Sequence, residues 1–198
     1  MEGVQTKNLR VVVAPFEQWL PPATGGGGDV IFFYNKSVWV NGSGGYEQSL
    51  ATDLESSRLF SSVEYRDWEE LADSYNGYDL LISGKFYYQR METRGPGILL
   101  FVPIAVSSVF LPIPVEGARE EIKFDLEVSL PSSPGFPLLK KEIIARQAYT
   151  NWGLTAGIFI SKDKLPSSTI SLLEVRKELA KELEPGGKIY SALQKTQK

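Results

Sequence analysis

The sequence contains neither cysteine nor histidine, and these two absences exclude several kinds of chemistry. Without cysteine there can be no disulfide and no thiol nucleophile. A zinc site built from cysteine and histidine is excluded, and so is an imidazole general base. Any catalysis would therefore have to use carboxylates, hydroxyls, lysine or arginine.

The chain also lacks an excess of basic residues. It has 21 Lys and Arg against 24 Asp and Glu, which gives a formal net charge of −3 and a pI near 5.2. Proteins with a general affinity for nucleic acid need clustered positive charge. We therefore predict no nucleic-acid partner.

The N-terminal residues, MEGVQTKNLR, lack the apolar stretch of a signal peptide. We therefore expect either a cytosolic protein or a chain whose targeting segment has been removed. The absence of cysteine does not decide between these two, because reducing and oxidising compartments both tolerate a cysteine-free chain.

The length and composition are those of one globular domain. The chain has 198 residues, 42% hydrophobic and 23% charged, and a single domain is the default expectation at this length. We predict one α+β domain over residues 1–198, with a flexible N-terminal tether at 1–8 and a flexible tail at 194–198. Its mixed sheet should have about five strands, covered by two or three helices.

Strand patterns recur along the chain. The run VVVAPF at 11–16 is typical of a buried strand, and the alternation from Ile122 to Leu130 indicates a strand with one buried face. The segment 138–149 fits helix or strand by period, and its short Pro/Gly/Ser connection favours a hairpin strand. Gly84 indicates a bulge or the close approach of another backbone. The five strands are expected near Val11, Val63, Leu80, Lys123 and Ile143.

Helical patterns lie between and after these strands. Apolar residues at helical spacing predict an amphipathic helix over 46–59, and a short helix should run over 68–75. Ser171 and Glu174 form a capping box, which predicts a C-terminal helix that ends at the Pro-Gly-Gly of 185–187. We expect this helix near Leu179, and the one near Leu50, to cover the sheet.

The most apolar stretch is GPGILLFVPIAVSSVFLPIPV, at 95–115, which we call the apolar run. An uncharged run of about 18 or more residues is normally a candidate membrane helix. Pro103, Pro112 and Pro114 oppose a helix here, since an interior proline costs about 3 kcal/mol, and the β-branched residues favour extended structure. We expect an insertion between two strands that is buried in the monomer or exposed for self-association or membrane contact, with a membrane helix as a further alternative.

Aromatic side chains near the apolar run and the glycine-rich region suggest an interface. Such residues are enriched at protein interfaces and at membrane boundaries, although core packing is the alternative. The interface candidates are Trp19, Trp39, Tyr87, Tyr88, Phe101, Val102, Ile104, Val109, Phe110 and Leu111.

Patterns that could indicate catalysis are weak. The tetraglycine at 25–28 lacks the Gly-Lys-Ser/Thr ending of a phosphate-binding loop and fits a loop better. The carboxylate pairs at 69–70 and 120–121 could act as acid and base if burial separated their pKa values, but neighbouring carboxylates are usually solvated.

Asp125 and Glu127 share the polar face of one strand and could hold a cation. Lys123 on the same face favours ordinary ion pairing instead. We therefore predict no catalytic residue, no cofactor and no metal.

Two phrases in the chain resemble a protein family. A helix closes on RLFSSV at 58–63, and the strand YDLLISG follows at 78–84. This order resembles a group of poorly characterised bacterial envelope lipoproteins. The layout is also similar to the fold shared by the N-terminal domain of the translocation protein TolB, the curli secretion lipoprotein and lipoprotein activators of peptidoglycan synthases. The resemblance covers about residues 9–130.

This resemblance implies an α/β domain held at the periplasmic face of the outer membrane through a lipidated N-terminal cysteine, which is not among these residues. It implies no catalytic residues. The expected function is a non-enzymatic accessory or assembly factor that binds other envelope proteins, or itself, through the apolar run, with membrane-surface contact through the lipid anchor. The alternatives are a small-ligand-binding domain, a carboxylate-dependent hydrolase and a cytosolic scaffold.

Overall fold

The computed structural model describes residues 8–19, 33–40, 45–72, 77–96, 113–154, 157–159 and 166–196. These residues form one mixed β-sheet with helices packed on it, which confirms the predicted α+β fold. The described strands are β1 Arg10–Val13, β2 Glu17–Gln18, β3 Phe33–Val40, β4 Ser62–Tyr65, β5 Leu80–Pro96, β6 Ile113–Ser129, β7 Leu139–Leu154 and β8 Gly157–Phe159. The described helices are α1 Tyr46–Ser56, α2 Trp68–Ala72, α3 Ser167–Glu182 and α4 Lys188–Thr196.

The sheet has the strand order β4-β1-β5-β6-β7-β8, and β2 and β3 also pair with β5. Strand β1 runs parallel to both of its neighbours, whereas β5, β6, β7 and β8 form an antiparallel meander. All five predicted strands are present; β8 widens the sheet, and β2 and β3 pair with β5 along the same edge as β1. The strand reading of 138–149 is confirmed and its helical alternative is wrong, since β7 pairs along its length with β6.

The burial pattern follows from the sequence periods. In β6, Ile122, Phe124, Leu126 and Val128 are fully buried on one face of the sheet, as the alternation predicts. They belong to the main core, to which α1, α3 and α4 contribute buried residues from the same side. The opposite face carries a smaller cluster in which Leu71 of α2 packs.

An aromatic group forms the centre of the main core. The rings of Phe16, Tyr46, Phe86 and Phe124 lie with centroids 5.0–6.4 Å apart. All four side chains are buried. Aromatic pairs at such distances stabilise beyond the area that they bury, so this group joins β5, β6, α1 and the chain after β1.

Gly84 lies in β5 where the backbone of β6 leaves no room for a side chain. A Cβ atom at this position would overlap the backbone carbonyl oxygen of Asp125 and would lie 3.1 Å from Cε2 of Phe16. The predicted close approach of another backbone is therefore confirmed.

Helix α1 is shorter than the predicted 46–59 because the chain leaves the helix after Ser56. Arg58 has φ 58°, in the left-handed region that glycine usually occupies at helix ends. No glycine marks this end, so the sequence carries no signal for it.

The predicted start of α3 at Ser171 is wrong, because the helix begins at Ser167, directly after Pro166. Ser171 lies inside the helix, where its hydroxyl donates to the carbonyl of Ser168 at 2.7 Å. A distant carboxylate caps the true start: Glu120 Oε2 accepts the backbone N–H and the hydroxyl of Ser167 at 3.2 and 3.3 Å. A negative charge at a helix N-terminus is favourable because of the helix dipole.

Helix α3 ends close to where the sequence predicts. Helix α3 stops at Glu182 before the Pro-Gly-Gly, and α4 buries Ile189 and Leu193 in the core. Helix α4 continues to Thr196, so residues 194–196, which the sequence assigns to the tail, are helical. None of the described helices has the length and apolar composition needed to cross a membrane.

Candidate interaction site

Strands β5 and β6 continue far beyond the part of the sheet that the core covers. In the described residues, the buried core side chains of β5 end at Phe86 and those of β6 begin at Ile122. Strand β5 nevertheless runs to Pro96, and β6 starts at Ile113. At about 3.3 Å per residue these strands project roughly 30 Å past the core. We call residues 87–96 and 113–121 the projecting hairpin.

Burial decreases along this hairpin. At the base of β5, Leu80, Leu81 and Ile82 are fully buried. Residues 87–93 of the same strand are only half-buried. The side chains of 87–93 are therefore less enclosed than those at the start of the same strand.

The apolar run connects the two strands of the projecting hairpin. The β5–β6 ladder reaches Arg94, which pairs with Gly117. Beyond that pair the ends of the run enter different ladders, since Gly95 pairs with β3 and Ile113 with β7. The predicted apolar insertion between two strands is thus confirmed in its position.

Most of the predicted interface residues fall in this connection. Phe101, Val102, Ile104, Val109, Phe110 and Leu111 lie outside the described residues. The tetraglycine at 25–28 lies outside them as well. For Trp39 the structure gives the backbone position, which pairs with Arg90 in the β3–β5 ladder.

Trp19 and Tyr87, two other predicted interface residues, lie together on the sheet. The Trp19 backbone N–H donates to the carbonyl of Phe86 at 2.9 Å, which places the indole edge-on to the Tyr87 ring at a centroid distance of 6.3 Å. Trp19 is 47% exposed. The structure therefore brings these two predicted aromatics to one surface, opposite the main core.

A buried carboxylate that sequence reasoning missed helps to hold this region. Glu47 of α1 is 4% exposed, and its Oε1 accepts the backbone N–H of Phe16 at 3.0 Å. This bond ties α1 to the chain between β1 and β2, three residues before Trp19. An acidic residue in the first turn of a helix gave no sign in the sequence that it would be buried.

Tyr87 and Tyr88 are neighbours whose hydroxyls both bond to carboxylates of β6. Regular alternation would place them on opposite faces of the sheet. The β5–β6 register shifts between Phe86 and Tyr88, and this β-bulge lets both hydroxyls reach β6.

The first of these clusters surrounds Tyr87. Its hydroxyl donates to Asp125 Oδ2 at 2.9 Å, and the ammonium of Lys123 lies 5.4 Å from the ring centroid. The hydrogen bond to Asp125 and partial burial raise the pKa of Tyr87. Lys140 lies 2.6 Å from Glu127 and 3.9 Å from Asp125. Ion pairing of these two carboxylates is therefore present, but through Lys140; Lys123, on which the prediction rests, lies 2.6 Å from Glu142 instead.

The second cluster joins three strands through one carboxylate. Glu121 of β6 accepts the hydroxyl of Tyr88 from β5 at 2.7 Å and Nε of Arg146 from β7 at 3.0 Å. Burial and the bond to Glu121 raise the pKa of Tyr88 to about 12. Burial alone would raise the pKa of Glu121. The hydrogen bonds from Tyr88 and Arg146 outweigh this effect, and the pKa of Glu121 lies below its usual value.

The neighbouring carboxylates at 120 and 121 do not form an acid–base pair. Glu121 bonds on the face opposite the main core, which we call the open face. Glu120 reaches the start of α3 on the face that carries the main core, the core face. The sequence does indicate that Glu120 faces the core side, because it occupies an inward position of an alternating strand that is otherwise apolar, but it does not identify Ser167 as the partner. The other pair, at 69–70, begins α2, where Glu70 lies 3.7 Å from Arg66.

The described surface offers little for acid–base or metal chemistry. A shallow groove along α1 contains one carboxylate, Asp53, which lies 3.8 Å from Arg176 of α3. A hydrolase site would need two converging carboxylates in a cleft. Within the described ranges, no three acidic side chains gather in a way that could hold a metal ion.

No protein-family model and no curated protein matches the sequence. Among solved structures, the chain is similar to a chain of the PelC dodecamer from Paraburkholderia phytofirmans. The two are 9% identical, the alignment covers 85% of this chain and 82% of that chain, and the TM-score is 0.36.

Proposed function

We propose that this protein is a non-enzymatic accessory or assembly factor of the bacterial cell envelope. It binds other envelope proteins, or further copies of itself, through the apolar run at 95–115. The observation that carries this proposal is the position of the run at the end of the projecting hairpin.

The distance between the run and the core is the physical basis of the proposal. The run begins nine residues after Phe86 and ends seven residues before Ile122, the nearest main-core side chains on the two strands. These separations correspond to roughly 23–30 Å along the strands. The two strand ends from which the run continues therefore lie well beyond the described core side chains of β5 and β6, and large exposed apolar surfaces mark interaction sites.

The surface chemistry of the sheet agrees with binding better than with catalysis. Asp125 and Glu127 share Lys140, and Glu121 is held by Arg146. Carboxylates held in ion pairs in this way do not form the pair of free, converging carboxylates that a hydrolase site needs. Trp19, half-exposed beside Tyr87, supplies an aromatic anchor of the kind that interfaces favour.

Location at the periplasmic face of the outer membrane is part of the proposal, and it rests on the phrases at 58–63 and 78–84. A lipidated cysteine in a preceding segment would supply the anchor. Reading the native gene upstream of Met1 for a signal sequence and lipidation site tests this part. Fractionation of cells that express the natural gene product tests it directly, since recovery with the cytosol would contradict it.

The interaction is tested by replacing two aromatic residues of the run. We expect Phe101→Ser with Phe110→Ser to abolish self-association in sedimentation velocity, or recovery with phosphatidylethanolamine/phosphatidylglycerol vesicles in flotation, and to leave the circular dichroism spectrum unchanged. Phe136→Ser with Leu173→Ser is the matched control, because it removes two exposed apolar side chains elsewhere. Association and flotation that are the same in both variants and the wild type would refute the proposal.

A further inference from the structure

At the base of the projecting hairpin, side chains of β6 form hydrogen bonds on both faces of the sheet at the same position along the strand. Glu120 and Glu121 are consecutive residues of β6, and their carboxylates bond in opposite directions. This level is also where α3 begins, so it marks the boundary between the part of the sheet with the helix layer and the strands that continue beyond α3.

On the open face, Glu121 connects the three strands that form the base. Its side chain is 17% exposed, and its two oxygens are shared between Tyr88 of β5 and Arg146 of β7. Because the carboxylate bonds to both neighbouring strands, it resists shearing of β5 and β7 against β6. Charge-assisted hydrogen bonds of this kind are stronger than neutral ones and more restrictive in geometry.

On the core face, Glu120 connects the hairpin to the helix layer. Its Oε2 accepts hydrogen bonds from the backbone N–H and the hydroxyl of Ser167, the first residue of α3, which is fully buried. Pro166, the preceding residue, makes no side-chain cap. The start of α3 therefore takes its cap from the hairpin strand, and a movement of the strand at this point would uncap the helix.

We infer that Glu120 and Glu121 act together as a clasp that fixes the direction of the projecting hairpin relative to the helix-covered core. They are positioning residues for the apolar run, which they do not themselves need to contact. The consequence for binding rests on the proposed function, whereas the mechanical role does not. Holding a binding element in one orientation lowers the entropy lost on association.

The absence of cysteine makes the clasp directly measurable. Glu55→Cys on the exposed side of α1 and Asn151→Cys on β7 beyond the clasp would carry two spin labels. The full chain would then be studied by pulsed electron–electron double resonance at a concentration at which it is monomeric. We expect a narrow distance distribution in the otherwise unchanged protein.

Glu120→Gln with Glu121→Gln, added to the labelled chain, should broaden that distribution at least about twofold. Glu127→Gln with Glu178→Gln is the matched control, because it removes two carboxylates that form strand–strand and strand–helix ion pairs away from the base of the hairpin. It should leave the width unchanged. If the clasp variant does not fold, Tyr88→Phe with Arg146→Gln removes the Glu121 contacts alone and should also broaden the distribution.

The outcomes separate this inference from the proposed function. An unchanged width in a folded clasp variant, or equal broadening in the control, would overturn the clasp whatever the binding results. A broadened width supports the clasp even if the wild-type protein neither self-associates nor floats with vesicles, a result that would contradict only the self-association and membrane contact of the proposed function.

Discussion

Replacement of Gly84 by alanine tests the close packing of β5 against β6. The added Cβ would overlap the carbonyl oxygen of Asp125, which is backbone and belongs to the paired strand β6. It would also meet the ring of Phe16 at 3.1 Å, within the aromatic centre of the core. No rotation of a flexible side chain can relieve the first overlap, so the two strands have to separate locally.

The expected loss of stability follows from this geometry. Overpacking a core typically costs about 1–3 kcal/mol and occasionally more. Because the overlap is with backbone, we expect Gly84→Ala to cost about 3 kcal/mol. The gain from restricting the unfolded chain, at most about 1 kcal/mol for a glycine replacement, does not offset this.

Urea unfolding followed by circular dichroism measures the effect. With a denaturant dependence of about 2 kcal/mol per molar, the midpoint should fall by about 1.5 M. Gly135→Ala is the control, since a Cβ there meets nothing within 4 Å, and its midpoint should move by less than about 0.3 M. A Gly84→Ala midpoint within that same small range would refute the described approach of β5 to β6.

Three further predictions concern buried and paired groups. Tyr46→Phe should cost about 1 kcal/mol in urea unfolding, because it removes the buried 2.9 Å hydrogen bond to Ser171; no measurable loss would contradict that bond. Burial and Glu121 raise the pKa of Tyr88 from 10.0 to about 12 in the folded chain, so its stabilising contribution is complete below pH 10 and is lost as the pH rises toward 12. Tyr88→Phe should reduce the alkaline fall in stability and remove one late-titrating phenol, and an unaltered phenolate titration would oppose this. The folded pKa of Glu121 lies below its usual 4.5, so its contribution is present above that pH and is lost as the pH falls through the folded value; Glu121→Gln should therefore flatten the acid limb, and an identical limb in both proteins would exclude it.

The parts of the fold that the sequence predicts are those with local causes. The alternation from Ile122 to Leu130 predicts a strand because one face of a sheet is buried. Gly84 predicts a close neighbouring backbone because glycine has no side chain. The start of α3 depends instead on Glu120, which is 47 residues away from Ser167 in the chain. The capping pattern at Ser171 predicts the wrong start. The Ser171 hydroxyl lies inside the helix and donates to the carbonyl of Ser168, so it does not cap the first turn.

The candidate site shows the same division. Trp19 and Tyr87 were predicted from their aromatic character, and the structure places them together. The bonding of both Tyr87 and Tyr88 to β6 could not be predicted, because it depends on a β-bulge that breaks strict alternation. The buried position of Glu47 likewise depends on the backbone of Phe16, which reaches α1 only after the sheet has formed.

The central claim is that the apolar run is buried by a partner rather than by the core of its own chain. The most direct measurement is the free energy of unfolding of Phe101→Ser with Phe110→Ser, in urea, at a concentration at which the wild-type protein is monomeric. We predict a loss below about 1 kcal/mol, close to that of the control Phe136→Ser with Leu173→Ser, since surface substitutions have small effects. Truncating a phenylalanine of a monomer core costs about 3–5 kcal/mol, so a loss of that size or greater would contradict the claim.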